Sequence, residues 1–306
     1  MLEFRSLNRD NICLSIFSVI FAVFALSLGD AIIKKYSSTL VLWQIFVLRS
    51  LITIPILIIL IRALSKNTSL FPLYPGWTGI RSIMLTFQWI AYYIALPHVD
   101  ISVAASSFYT LPIFITLFSS IFNKEKFRKY SYLSVFLGFL GVLMILRPRI
   151  EAFNVYGLLP LISAILYAGA MILTRTKCRG ENPLILSLNI NLIMLLTGLI
   201  AAIFINCWQP SFHVITNYKF LLGVWGVMGK LEWSIICVLA ITMLIGNIGA
   251  AVAYQIAPSS IVAPYDFFYI GFAILWGVIM FNEVPDSITA IGILMIVVAG
   301  LISMKR

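Results

Sequence analysis

The sequence predicts an all-α membrane protein of ten transmembrane helices arranged as two inverted five-helix repeats. Three observations carry that prediction. Hydrophobic residues make up 61% and charged residues 10% of the 306, against roughly 45–50% and about 25% in an ordinary soluble chain. The apolar residues fall in long, nearly charge-free runs, and the second half of the chain repeats the order of features in the first. A span takes about 20 apolar residues, so ten spans use about 200 and leave about 100 for loops and termini, too few for a soluble domain.

In chain order the runs predict helices at 12–34, 39–61, 76–96, 101–122, 131–147, 155–174, 184–207, 233–256, 259–281 and 287–304, bounded by Lys, Arg, Pro or Asn. Continuous runs favour helices over a closed barrel, whose strands alternate apolar and polar residues with period two. The run from Ile12 to Gly29 exceeds a signal-peptide core and is followed by Asp30 and Lys34 instead of a small-residue cleavage site, so it is expected to stay as a helix. The longest loop, 209–232, contains Leu221 to Met228, too short to span and expected at the interface. Its Gly229-Lys230 resembles the end of a phosphate-binding loop, but Val224 stands where the earlier Gly is required and Leu231 replaces Ser/Thr, so nucleotide hydrolysis is not expected. Trp77 and Trp233, near span ends, fit the interfacial aromatic belt.

The net charge of +10 is scattered between apolar runs; no clustered basic face for nucleic acid is expected. With the N-terminus in the cytoplasm, the loops on that side hold Arg5, Arg9, Arg62, Lys66, Lys124, Lys126, Arg128, Lys129, Arg175, Lys177, Arg179, Lys305 and Arg306. The opposite side holds only Lys34, Lys35, Arg147, Arg149, Lys219 and Lys230. That asymmetry predicts both termini on the cytoplasmic side. Cys13, Cys178, Cys207 and Cys237 have neither C-x-x-C nor zinc-ligand spacing and read as free thiols; no cofactor is expected.

An offset of 158 places Ala95, Ala105, Phe114 and Glu125 over Ala253, Ala263, Phe272 and Glu283, with Gly141 and Gly300 following after a one-residue slip. Each copy, 12–147 and 155–304, runs through a small/polar turn, a helix with a proline near its first third (Pro112, Pro264), a loop with Glu and a Gly-bearing helix. Five is odd, so the second copy enters the membrane inverted, the arrangement of alternating-access carriers. The loop charges agree: Lys124 to Lys129 carries four basic residues and its counterpart Asn282 to Asp286 none.

Asp30-Ala-Ile-Ile-Lys34, Ile45-Phe-Val-Leu-Arg49, Ala95 to Glu125 with its closing Asn-Lys-Glu, and Ala263-Pro-Tyr-Asp266 to Phe281-Asn-Glu283 occur in an order that resembles the EamA branch of the drug/metabolite transporter superfamily. The resemblance covers essentially the whole chain as two halves. It implies ten helices and a central cavity lined chiefly by the first, third, fourth, sixth, eighth and ninth of them, with the fifth and tenth outside. Within the family the Asp-x-x-x-Lys and Ala-Pro-Tyr features look most like bacterial S-adenosylmethionine uptake permeases, which implies a bacterial inner-membrane location.

Intramembrane charges cost about 2.5–3.5 kcal/mol on insertion scales and usually face a partner or a wet cavity. Asp30, Arg49, Arg81 and Asp266 therefore stand out as candidates for substrate binding or gating. At about 1.5 Å per residue, Asp266 lies roughly 10 Å from the cytoplasmic boundary, Arg49 roughly 14 Å and Arg81 roughly 7 Å, so either arginine is expected within reach of Asp266 as a gate or a zwitterion site; the alternative is a permanent architectural pair. Asp30 and Lys34 have the spacing of an intrahelical pair, and Lys34 can also snorkel. Arg81, Gln88 and Tyr92 share one stripe of the third helix. Ser102, Ser106 and Tyr109 form another on the fourth, a cavity wall or hydroxyls bonded back to their own helix. Ser163 with Tyr167, and Asn247 with Tyr254, repeat the pattern. Tyr265 and Tyr269 bracket Asp266 and can stack on a flat substrate or hold a cation. Pro112 and Pro264 are candidate hinges or static kinks. Ser134 with Gly138, and Ala273 with Gly277, have small-xxx-small spacing for helix packing.

The expected function is secondary transport of a small polar metabolite, such as an amino acid, a nucleoside-like or an S-adenosylmethionine-like solute, coupled to protons or by exchange. A homodimer is compatible with the chain. The alternatives are a channel or a non-transporting scaffold, for which no repeated filter or charged ring is visible. A membrane-embedded enzyme fits less well: His98 and His213 fall in loops and no H-E-x-x-H occurs.

Overall fold

The computed structural model describes residues 11–64, 69–111, 113–115, 117–118, 129–146, 154–257, 262 and 265–303. Among these residues the regular structure is entirely helical. The main helices are α1 (Ile12–Tyr36), α2 (Leu42–Leu64), α3 (Pro75–Ala95), α4 (Ile101–Phe108), α5 (Lys129–Leu146), α6 (Leu159–Thr176), α7 (Pro183–Trp208), α8 (Lys230–Ile256), α9 (Phe268–Phe281) and α10 (Ser287–Ser303). Among them α1, α2, α7 and α8, and α6 with the 3-10 turn Val155–Leu158 that leads into it, are long and apolar enough to cross a membrane. The chain is a multi-pass membrane protein: large apolar side chains such as Phe17, Phe87, Phe136, Ile200 and Phe204 stand exposed on the helices, where hydrocarbon and not water is their stable surrounding.

Local chemistry sets the helix ends. The Asn11 and Asn182 side chains accept from the backbone N–H of Leu14 at 3.1 Å and Leu184 at 2.9 Å, satisfying orphan donors of α1 and α7. Pro75 and Pro183 occupy first-turn positions where no N–H is needed. α7 ends on Gln209 and α9 on Asn282, both left-handed at φ 48° and 56°. Behind Asn282, the Glu283 N–H returns to the Gly277 carbonyl at 3.1 Å, a Schellman-type closure that turns Glu283 back toward the bundle.

Two predicted helices are not continuous. The run 101–122 breaks after Phe108: Tyr109 closes α4, the Thr110 N–H reaches only the Ser107 carbonyl at 3.4 Å, and helical backbone resumes at Leu111. The run 259–281 breaks at Phe267, before α9. The apolar pattern hides both breaks, because a turn buried among helices needs the same hydrophobic side chains as a helix does. Pro112 and Pro264 lie outside the described residues. Leu221 to Met228 is divided between the short helix Lys219–Leu222 and an extended stretch. That stretch docks on α2: the Gln44 side chain donates to the Gly226 carbonyl and accepts from its N–H, each at 3.0 Å, and Trp43 Nε1 donates to the Leu221 carbonyl at 2.8 Å.

The helices pack as neighbours drawn from opposite halves. α1 lies against α8 and α9, α2 against α7, α3 against α6 and α7, α4 against α9 and α6, and α5 against α10. Small residues permit the closest crossings. A Cβ on Gly249 would fall 2.9 Å from both the Ala22 Cβ and the Ser18 carbonyl, and one on Gly141 would fall 2.8 Å from the Gly292 carbonyl. Gly138 and Gly277, singled out by their spacing, also sit at contacts, against Ile113 and Ile101.

Candidate functional site

One face of α1 presents Val23, Leu26 and Asp30, spaced three and four apart, to the middle of the bundle. α3 presents Gln88, Trp89 and Tyr92 to the same place, with Phe108 and Tyr109 from the end of α4, Tyr167 from α6 and Tyr269 from α9. These residues enclose a narrow cavity with room for about one or two water molecules. Six of the sequence-predicted site residues meet in its wall: Asp30, Gln88, Tyr92, Tyr109, Tyr167 and Tyr269.

A chain of hydroxyls ends on Asp30. Tyr269 Oη donates to the Asp30 carboxylate, and Tyr92 Oη lies 3.0 Å from Tyr269 Oη. Behind Asp30, Tyr93 faces the carboxylate, and Arg49 approaches it, with Nη1 3.4 Å from Tyr93 Oη. Arg49 also stands 5.5 Å above the Phe46 ring and contacts Met194 Sδ at 3.3 Å. Rings complete the wall: Tyr109 stacks on Tyr269 with centroids 5.1 Å apart, and Tyr92 meets Phe108 edge-on at 5.5 Å.

The expected pairing of Asp266 with an arginine is not formed. Asp266, only 1% exposed, accepts a hydrogen bond from Tyr254 Oη, and Tyr109 and Tyr167 lie within electrostatic reach. Arg49 bonds Tyr93 Oη and acts on Asp30 through its charge, and Arg81 donates from Nε to Thr174 Oγ1 at 2.6 Å. Depth along a helix fixes height in the bilayer but not the direction a side chain faces, so similar depths did not make a pair. The intrahelical Asp30–Lys34 pair is not formed either. Lys34 Nζ donates to Glu283 Oε1 at 2.5 Å and to the Val99 carbonyl at 2.9 Å, so it does not simply snorkel. Glu283 Oε2 accepts the Ile101 N–H at 3.0 Å. One carboxylate thereby ties α1, the start of α4 and the end of α9 together.

Gln88 is held by Ser163, donating from Nε2 to Ser163 Oγ at 3.0 Å while that hydroxyl donates to the Gln88 carbonyl at 3.0 Å. Ser106 bonds back to the Ser102 carbonyl at 2.6 Å and stays within its own helix. Asn247 is not in the cavity wall and its Nδ2 has no protein partner, and Tyr265 is half-buried and does not line the cavity. At the other end of the bundle Glu181 accepts the Tyr74 N–H at 2.6 Å, and Gln255 Nε2 donates to the Cys178 and Glu181 carbonyls at 3.0 and 2.8 Å. Burial there pushes the Cys178 thiol up from its ordinary pKa.

Trp89, Tyr93, Glu181 and Glu283 are parts of this architecture that sequence reasoning missed as such. Tyr93 and Trp89 adjoin stripe residues, and Glu283 was visible as the repeat partner of Glu125 and the end of a family motif, not as a tie. The four cysteines are free. Among the described residues no three His, Cys, Asp or Glu side chains converge as a metal site.

Residues 12–147 match the EamA-like transporter family. The chain is 26% identical over 285 residues to the pseudopaline exporter CntI of Pseudomonas aeruginosa, covering 92% of each. It is 29% identical over 212 residues to a riboflavin transporter of Brucella anthropi (69% of this chain, 70% of the relative), and 22% identical over 222 residues to an S-adenosylmethionine uptake transporter of Rickettsia bellii (72% and 70%). A solved crystal structure shares the fold over 96% of both chains, with a TM-score of 0.64 at 19% identity.

Proposed function

We propose, starting from a transporter and not an enzyme, whose residues 12–147 belong to the EamA-like transporter family, that this protein is a secondary carrier working by alternating access. In this reading ten spans form two inverted repeats, 12–147 and 155–304, with both termini on the cytoplasmic side of a bacterial inner membrane. The substrate is a small polar metabolite that enters the cavity between the repeats. Relatives named for pseudopaline, riboflavin and S-adenosylmethionine support a solute of metabolite size, either imported or exported.

The observation that carries the reading is the cavity itself, because its wall draws α1, α3 and α4 from one half and α6 and α9 from the other. The helix neighbours support it: α1 against α8 is answered by α6 against α3, and α2 with α7, α4 with α9 and α5 with α10 pair each helix with its own counterpart. A rocking motion of one half on the other then opens the cavity to one side while closing the other. Glu283 ties one end and Glu181 the other, so each exit has its own set of breakable polar contacts. Energy comes from an ion gradient or from exchange, and Asp30 and Asp266 are the acids available to carry a proton.

Leu26, on the cavity wall, supplies the test. In a background with Cys13, Cys178, Cys207 and Cys237 replaced, Leu26→Cys is expected to react with a membrane-impermeant maleimide from either face of the membrane, in right-side-out and inverted vesicles alike. Substrate should shift the balance between the two faces, and transport should saturate with concentration. Labelling from one face alone, or from neither, overturns alternating access at this cavity.

A further inference from the structure

We infer that the substrate is a protonated amine borne on a flat ring, its N–H groups received by Gln88 Oε1, Tyr92 Oη and Asp30. This rests on the carrier reading and adds the chemical class of the solute. The proton count of the wall points to it. Ser163 has a single hydroxyl hydrogen, which it gives to the Gln88 backbone carbonyl. It can therefore only accept from the Gln88 side chain, which fixes the amide with its NH2 toward Ser163 and its oxygen away. That oxygen is buried with no protein partner, an acceptor left open to a ligand or a water in the cavity that Gln88 lines.

The same count applies to the hydroxyl chain. Tyr269 spends its hydrogen on Asp30, so across the 3.0 Å contact Tyr92 must be the donor. The Tyr92 oxygen then keeps its lone pairs and no hydrogen to offer. In its ionised form Asp30, with Tyr269 and Tyr93 against it and the Arg49 charge nearby, is an acceptor at the end of the chain. Three polar groups on this side of the cavity thus offer acceptors, while both arginines lie outside its wall. The Tyr109 and Tyr167 hydroxyls can turn either way and do not reverse the balance.

An ammonium group brings three donors and a positive charge, matching this inventory. A carboxylate brings acceptors alone and meets Asp30. The ring requirement comes from the other walls, where Trp89, Phe108, Tyr109 and Tyr269 line the cavity; once it opens beyond the one or two waters it admits here, they offer aromatic surface to stack on a flat solute and attract a cation.

The test uses purified full-length protein in lipid nanodiscs and proteoliposomes with three probes: tryptamine, indole-3-acetate and putrescine. Tryptamine is expected to raise the unfolding temperature and to be taken up. Indole-3-acetate, with the same ring and the opposite charge, is expected to do neither, and putrescine, charged but without a ring, to bind more weakly than tryptamine. Gln88→Leu should weaken tryptamine binding roughly ten-fold, and Tyr92→Phe, which keeps the ring and removes the acceptor oxygen, should do the same. Tyr92→Phe also serves should Gln88→Leu fail to fold. A response to indole-3-acetate equal to or above that to tryptamine, no response to either, or unchanged tryptamine binding in both variants overturns the inference. Failure of the carrier reading appears separately, in the two-sided labelling of Leu26→Cys.

Discussion

Asp266 has poorer company than Asp30. Asp30 has two tyrosines and the Arg49 charge around it, whereas Asp266 has the Tyr254 hydroxyl and reaches neither arginine. A buried acid so lightly compensated is expensive for a fold to keep, which fits a part in the transport cycle. Asp266→Asn retains an oxygen for Tyr254 to bond, so stability should change by less than about 1 kcal/mol. Uptake should nonetheless be lost while the variant still reaches the membrane; normal uptake by Asp266→Asn would remove this residue from the site. At this scale the sequence was readable for burial and helix face: the spacing of Arg81, Gln88 and Tyr92 gave one buried stripe. It was not readable for partners. Which tyrosine meets which acid depends on the rotation of one helix against another, and no single-helix pattern records that.

The long helices were legible in place, since hydrocarbon demands a run of apolar residues wherever a helix crosses it. The breaks at Tyr109 and Phe267 were legible only indirectly, through Pro112 and Pro264 three residues away, because each run is long and apolar enough overall to read as one helix. Helix crossings give sharper expectations. Gly249→Val would drive a side chain into Ala22 and the Ser18 carbonyl where α8 meets α1, while Gly271 has nothing within 4 Å. Thermal unfolding in detergent should show Gly249→Val destabilised by about 1–3 kcal/mol, with Gly271→Ala near wild type; equal stability would mean that the α1–α8 crossing is looser than drawn. Glu283 binds three elements through one carboxylate. Glu283→Gln removes the charge opposite Lys34, and Leu26→Cys in that background should label faster from the α1 C-terminal side. An unchanged rate would show that this tie does not guard the exit.

At the level of the whole molecule, composition alone excluded a soluble fold, and the offset of 158 raised the expectation of two related halves. The direction of pairing was hidden. The repeat says that the first half resembles the second, yet nothing in it says that α1 should lie beside α8 instead of beside its own counterpart α6. That choice places the cavity where both halves meet, and it is why its wall mixes residues more than two hundred positions apart, such as Asp30 and Tyr269.

The same interleaving bears on how the chain is made. When the ribosome has delivered only α1 to α5, the faces of α1, α2 and α3 that will meet α8, α7 and α6 still have lipid or chaperone for company, and Asp30 lacks Tyr269 as its donor. The early helices must therefore wait in the bilayer, unmatched, until synthesis is nearly complete. Quality control at the insertion machinery has its longest opportunity during that interval.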